Sequence, residues 1–322
     1  MKYYTLHGCP LQASSHCFGC MHLTTTDDDS LMLDCARDLG INFFDTADVY
    51  GNENLSEKAL GTWSHLRHNR SNILISTKCG IALKGLASPD RSSIIESAHN
   101  SLKRLQTDYI DLYFIHIEHN RLPEEEILEA FDLLIRQGKI LSYGASNYSA
   151  RRLEKSTTLA KSRLPQQHSC FQAHYNLLER SIEREHIQLL LEKNIPLACW
   201  SPLAKGLLAD RKVPPSPSDS SSPRYRYQVS YNTPKHQLLI ETLSSLSKQL
   251  QIPVSTLSIS WLLQHPAVRW IVFGASSLQQ LKENTNAANY TLPPEAFNDL
   301  SNASMPDLGY PYDGIARFNT DR

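Results

Sequence analysis

Short apolar runs recur along the whole chain: Ile41 to Phe44, Asn72 to Ser76, Tyr109 to Ile115, Ile140 to Tyr143, Cys170 to Ala173, Pro196 to Trp200 and Trp270 to Phe273. They are continuously apolar rather than alternating, as parallel strands are when helices cover both faces. Between them, apolar positions repeat at helical spacing. Ile94, Ala98, Leu102 and Leu105 share one face, as do Ile127, Phe131, Leu134 and Ile135, and Leu239, Leu243, Leu246 and Leu250. With His16 to Met21 as a first strand, the pattern predicts eight strands, each followed by a helix. That is an α/β chain of the (β/α)8 TIM-barrel type. The doubly wound alternative usually carries G-x-G-x-x-G after an early strand, and no such run is present. In a barrel, chemistry is expected just past the C-terminal ends of the strands.

One stretch breaks the rhythm. Residues 210–234 hold seven Ser or Thr and five Pro, which predicts a long loop after the seventh strand. No internal repeat divides the chain, so one domain over residues 1–322 is expected, with the segment 289–322 covering the barrel rim. Lys and Arg number 32 against 33 Asp and Glu, a net charge of -1. Nucleic-acid binding needs a basic excess, which is lacking. No apolar stretch approaches bilayer length, and the first residues lack the apolar core of a signal peptide. A cytoplasmic location is therefore the expectation. The seven cysteines are an odd number, and Cys17-x-x-Cys20 lacks the second pair that a zinc site needs. Reduced thiols and no metal are expected. His116 and His119, with Glu118 between them, do not form the H-E-x-x-H motif of zinc hydrolases.

The predicted strand ends carry polar residues. The second ends Asp45-Thr46-Ala47-Asp48-Val49-Tyr50-Gly51, the third at Lys78, the fourth at His116, the fifth at Ser146-Asn147 and the sixth at Gln172. Each has an ordinary structural reading: Asp45 and Ser146-Asn147 as caps, Tyr50 and His116 as packing residues, Lys78 as a solvent-seeking charge. Lys78 resists that reading, because a Lys at the inner end of a buried strand is rarely unpaired; Asp45 on the neighbouring strand is its expected partner. Together the set suits proton donation to a carbonyl. Tyrosine, with a pKa of about 10, is a weak acid at neutral pH, and a nearby cation is expected to lower it. No side chain supplies a hydride, so reduction requires a nicotinamide.

The order Asp45-x4-Tyr50-Gly51, Lys78, His116, Ser146-Asn147 resembles the aldo-keto reductases, over about residues 11–288. The resemblance implies a catalytic tetrad with Tyr50 as general acid, Lys78 and Asp45 tuning it, and His116 orienting the carbonyl. It implies NADP(H) lying across the rim. Ser146, Asn147 and Gln172 then meet the nicotinamide carboxamide, and Trp200 stacks on the ring. Ser201, Leu203 and Gly206 face the pyrophosphate, while Gly274, Ser276, Gln280, Glu283 and Asn284 match adenosine-side positions. Gln280 stands where many members carry an Arg on the 2′-phosphate. Arg211 matches a basic position in the branch similar to potassium-channel beta subunits. Cys20 and Met21 replace a Thr and a Trp common among relatives.

These residues imply NADPH-dependent reduction of an aldehyde or ketone. An alternative is a dinucleotide-binding regulatory or redox-sensing protein with little turnover. A third reading, an aldolase with Lys78 as Schiff-base nucleophile, is opposed by Asp45, since a paired, charged Lys is a poor nucleophile. A small carbonyl compound is the expected substrate, with Val49, His119, Tyr225 and Tyr310 as pocket-lining candidates.

Overall fold

A computed structural model describes residues 1–51, 54–81, 90–209, 229, 231 and 233–319. Most of the loop predicted at 210–234 lies outside the described residues, Arg211 and Tyr225 included. The eight predicted strands form one closed parallel barrel: β3 (His16–Gly19), β4 (Phe43–Asp45), β5 (Leu74–Cys79), β6 (Ile110–Ile115), β7 (Ile140–Ser146), β8 (Cys170–His174), β9 (Leu197–Trp200) and β10 (Val268–Phe273). They follow one another around the ring in chain order, and β10 pairs with β3 to close it. This is the (β/α)8 barrel that the apolar runs predicted.

Ahead of the barrel the sequence reading missed a short antiparallel hairpin, β1 (Tyr3–Thr5) and β2 (Gln12–Ser14). Its strands are three residues long, too short to leave a periodic signal. Leu6, Cys9 and Ala13 of the hairpin join an apolar cluster with Cys17, Phe43, Leu74, Leu112, Phe114, Cys170, Ala198 and Trp270. These are alternate strand residues, so this cluster fills the barrel and the hairpin seals its N-terminal end. Gly144 makes part of the filling possible. A Cβ there would stand 2.5 Å from the Phe114 ring and 2.4 Å from the Cys170 carbonyl oxygen.

A second, larger cluster lies between the barrel and its helices. The stripe Ile94, Ala98, Leu102 and Leu105 on the helix Arg91–Leu105 is buried in it, as are Ile127, Phe131 and Leu134 on Glu124–Arg136 and Leu239, Leu243 and Leu246 on Pro234–Leu250. Helix starts are marked by side-chain caps: Thr26 with Asp29, Asp90 with Ser93, Ser149, Thr233 and Ser277. The cap of the helix Ala150–Arg163 is Ser149, which leaves Ser146 inside β7. The last helices are Pro294–Ala303 and Tyr312–Asn319. Among the described residues no helix is long and apolar enough to cross a membrane. All seven cysteines are free thiols.

Candidate functional site

Strand alternation decides what reaches the mouth of the barrel. In β4, Phe43 faces inward at the base and Asp45 at the top; in β5 the inward positions run Leu74, Ser76, Lys78. Register sets Asp45 beside Ser76. The Asp45 carboxylate accepts from Ser76 Oγ at 2.6 Å, from Lys78 Nζ at 2.5 Å and from Gln172 Nε2 at 3.1 Å. Lys78 is wholly buried and also donates to the Thr46 carbonyl oxygen at 2.7 Å. Burial alone would pull its pKa down; the charge of Asp45, helped by Tyr50, outweighs this and holds it above the ordinary lysine value.

Tyr50 is delivered by the turn after β4. The Thr46 N–H donates to the Ser76 carbonyl oxygen, Asp48 N–H to that of Lys78, and Tyr50 N–H to that of Ala47. The left-handed Gly51 (φ +73°) then redirects the chain. The turn places the Tyr50 ring 5.0 Å from Lys78 Nζ and its hydroxyl 3.3 Å from His116 Nε2. His116 stands just past β6, its ring edge-on to Tyr50 at 5.4 Å. Burial, then the Lys78 charge, push its pKa down to about 3, so the imidazole is neutral at pH 7. Its buried Nδ1 has no partner among the described residues. The proton is therefore assigned to Nε2, where it donates to Tyr50 Oη and leaves the phenol hydrogen for another acceptor.

The pKa of Tyr50 differs from the sequence-based expectation. Lys78 does lower it, but burial raises it more, so the phenol lies above its ordinary value. A half-buried hydroxyl loses more from desolvation of the phenolate than the neighbouring ammonium returns.

Across the mouth, Asn147 adopts a left-handed φ of 52° at the end of β7. Its Nδ2 donates to the His116 carbonyl oxygen and to Ser146 Oγ, both at 2.9 Å, and its Oδ1 accepts from Trp200 Nε1 at 3.1 Å. Both amide hydrogens are thus engaged within the protein. Beyond β9, Ser201, Ala204 and Lys205 all have left-handed φ near 50°, followed by Gly206 at 95°. Such strain, roughly 1–2 kcal/mol per non-glycine residue, is typically kept at functional segments. Ser201, Leu203 and Gly206 are half-buried there.

After β10, Gly274 is exposed, Ser276 donates through N–H and Oγ to Gln280 Oε1, and Glu283 accepts from Gln279. Asn284 is buried against the outer side of β3. Tyr310 is 98% exposed. The structure thus gathers Asp45, Tyr50, Lys78, His116, Ser146, Asn147, Gln172 and Trp200 at the barrel mouth. Ser201 to Gly206 and the 274–284 segment lie at the ends of the next two strands. A separate cavity of about 200 Å³, lined by Arg180, Arg184, Lys235 and His236 among others, contains none of the predicted site residues.

Two residues of the site were missed in the sequence. Asp48 lies inside the Asp45–Tyr50 segment, is 3% exposed, and its Oδ1 has no partner among the described residues. His174 follows Gln172 by two, on the same face of β8; alternation continued one step further would have found it.

The chain has relatives among known proteins. The model of the Aldo/keto reductase family matches residues 17–304. The chain belongs to the aldo/keto reductase family. It is 30% identical to an uncharacterized oxidoreductase, YrpG, of Bacillus subtilis, over 94% of this chain and 95% of that protein. It is 32% identical to a probable voltage-gated potassium channel subunit beta of Arabidopsis thaliana, covering 80% and 81%. With an aryl-alcohol dehydrogenase of Pestalotiopsis microspora it shares 29% over 87% and 73%. Membership of the aldo/keto reductases and likeness to oxidoreductases support carbonyl redox chemistry in general terms.

Proposed function

We propose that this aldo/keto reductase reduces aldehydes or ketones to alcohols with NADPH. The observation that carries the reading is a wholly buried ammonium, Lys78, paired with Asp45 at 2.5 Å and set 5.0 Å from the ring of Tyr50, whose hydroxyl meets a neutral His116. A structural ion pair alone does not need a half-buried phenol beside it.

The residues present fit a dinucleotide. Trp200 is a half-buried aromatic with its indole N–H already satisfied by Asn147, and Ser146 and Gln172 are buried polar residues on the two preceding strands. The strained 201–206 backbone suits an anionic group. NADPH, when bound, supplies the hydride. In this reading Tyr50 donates its proton to the carbonyl oxygen of the substrate. Lys78 stabilises the phenolate left behind, and Asp45 keeps Lys78 charged and in place. His116, neutral, donates through Nε2 and orients the oxygen. General acid catalysis of this kind contributes roughly 10²–10⁴-fold.

NADPH is preferred over NADH in this proposal, with Arg211 as a candidate partner of the 2′-phosphate. Gln280, tied to Ser276, offers no charge there. Seven free thiols suit a reducing compartment such as the cytoplasm.

The test is NADPH oxidation by the purified protein against a panel of aldehydes and ketones. Tyr50→Phe is expected to cut turnover at least 100-fold while dinucleotide affinity stays within about twofold; turnover equal to the parent would refute the assignment. A second reading is favoured by likeness to potassium channel beta subunits: a dinucleotide-binding regulatory protein. Tight retention of NADPH with negligible turnover on the whole panel would select it.

A further inference from the structure

We infer that His174 is a positioning residue that fixes the plane of the Trp200 indole, so that only one face of that ring is offered to a flat ligand. The inference rests on the proposed dinucleotide site. His174 and Trp200 are register partners on β8 and β9. Their rings lie parallel within 8°, with centroids 4.1 Å apart. Two independent constraints therefore act on one indole. The hydrogen bond from Nε1 to Asn147 Oδ1 fixes its edge, and the imidazole covers one face and fixes its tilt.

His174 is itself held. Its Nε2 lies 3.2 Å from Asn176 Nδ2, and the same amide donates to the Ser201 carbonyl oxygen at 2.9 Å. One Asn thus ties the stacking partner to the strained backbone that follows the indole. Burial pushes the His174 pKa down to about 4, so at neutral pH a neutral ring backs the indole. The ring itself then brings no positive charge against an oxidised, cationic nicotinamide on the other face.

The flat imidazole does what a shorter or flexible side chain cannot. Without it the half-buried indole keeps its edge bond and its packing on the barrel cluster but loses the ring that sets its tilt. A planar ligand must then pay for ordering it.

The experiment titrates NADPH and NADP⁺ into the full-length protein, its His174→Ala and His174→Phe variants, and a Trp200→Leu control, with acrylamide quenching of indole fluorescence. Trp63, Trp261 and Trp270 are buried, so added quenching reports Trp200. His174→Ala is expected to weaken both dinucleotides about 3- to 10-fold and to increase quenching. His174→Phe, which keeps a flat ring, is expected to restore affinity to within about twofold. The inference is overturned if His174→Ala binds as the parent does while Trp200→Leu binds weakly. Equal loss in the Ala and Phe variants also overturns it, since the Asn176 bond rather than stacking would then matter. If Trp200→Leu binds as the parent does, or the parent binds neither dinucleotide, the underlying site reading fails.

Discussion

Lys78 carries its charge with no exposure to water, and this makes it the residue on which stability and chemistry coincide. Removing one member of a buried ion pair strands the other. Lys78→Met leaves the Asp45 carboxylate with Ser76 and Gln172 as its side-chain donors among the described residues. A loss of about 3–5 kcal/mol in folding stability is expected, read by urea unfolding, along with loss of turnover. Tyr50→Phe removes one 3.3 Å contact and should cost about 0.5–1.5 kcal/mol with a comparable loss of turnover. Equal stability losses in the two variants would contradict the pairing. Asp48 yields a prediction of opposite sign. Burial, then the charge of Glu57, push its carboxyl up to about 7, against Arg104 and Lys78. An unfolded Asp ionises near 3.9, so between about pH 4 and 7 the folded chain holds the extra proton and stability falls as pH rises. The penalty is complete above pH 7. Asp48→Asn should therefore be more stable than the parent at pH 8, by on the order of 1–4 kcal/mol, and equal to it at pH 4. A pH-independent difference would show that the carboxyl does not titrate there. Asp45 and Lys78 were legible in the sequence because alternation sends them to the mouth, whereas Tyr50 and His116, which lie past the ends of β4 and β6, were legible from the motif that resembles the family. Asp48 was not: its raised pKa depends on burial and on the charges of Glu57 and Arg104, whose arrival beside it is set by helix packing. The rise in the pKa of Tyr50 was hidden for the same reason, since desolvation is a property of the folded surroundings.

At the scale of elements, the barrel was readable because buried parallel strands leave continuous apolar runs and their helices leave stripes. The strand ends were less so. β4 holds only three residues, because the turn through Thr46 and Asp48 bonds to β5 carbonyls and then leaves the sheet. The hairpin β1–β2 gave no sequence signal, yet it completes the core inside the barrel. Leu6 is fully buried in that cluster, so Leu6→Ala should destabilise by about 2–5 kcal/mol with little change in KM for a substrate bound at the opposite end. The fit of β6, β7 and β8 turns on Gly144. An added methyl there meets backbone and an aromatic ring at 2.4–2.5 Å, contacts that must be relieved by moving β7. Gly144→Ala should cost about 1–3 kcal/mol or more. Because Ser146 and Asn147 end the same strand, it should also weaken dinucleotide binding. An unchanged midpoint of chemical unfolding would mean that β7 has slack the geometry does not show.

Over the whole molecule, burial of histidine ties the fold to pH. His16, His116, His168 and His174 are each pushed down by burial, to about 3, 3, 4 and 4. In the unfolded chain they regain a value near 6.5. Between about pH 4 and 6.5 the unfolded state thus binds protons that the folded state refuses. The stability these groups contribute is fully present above pH 6.5 and is lost as pH falls. Asp48 works in the opposite sense, and so do Asp111 and Glu124, whose carboxyls burial also raises. Four histidines against Asp48 leave a net uptake on unfolding of about two to three protons near pH 5.5, which Asp111 and Glu124 reduce. The urea midpoint should accordingly fall much more between pH 6.5 and 4.5 than between pH 8 and 6.5. Since His116 and His174 both belong to the barrel mouth, the same titration should loosen the site as it weakens the fold. Dinucleotide binding and global stability should therefore decline together on acidification. Loss of binding at a pH where the urea midpoint has not moved would show that the mouth titrates independently of the barrel beneath it.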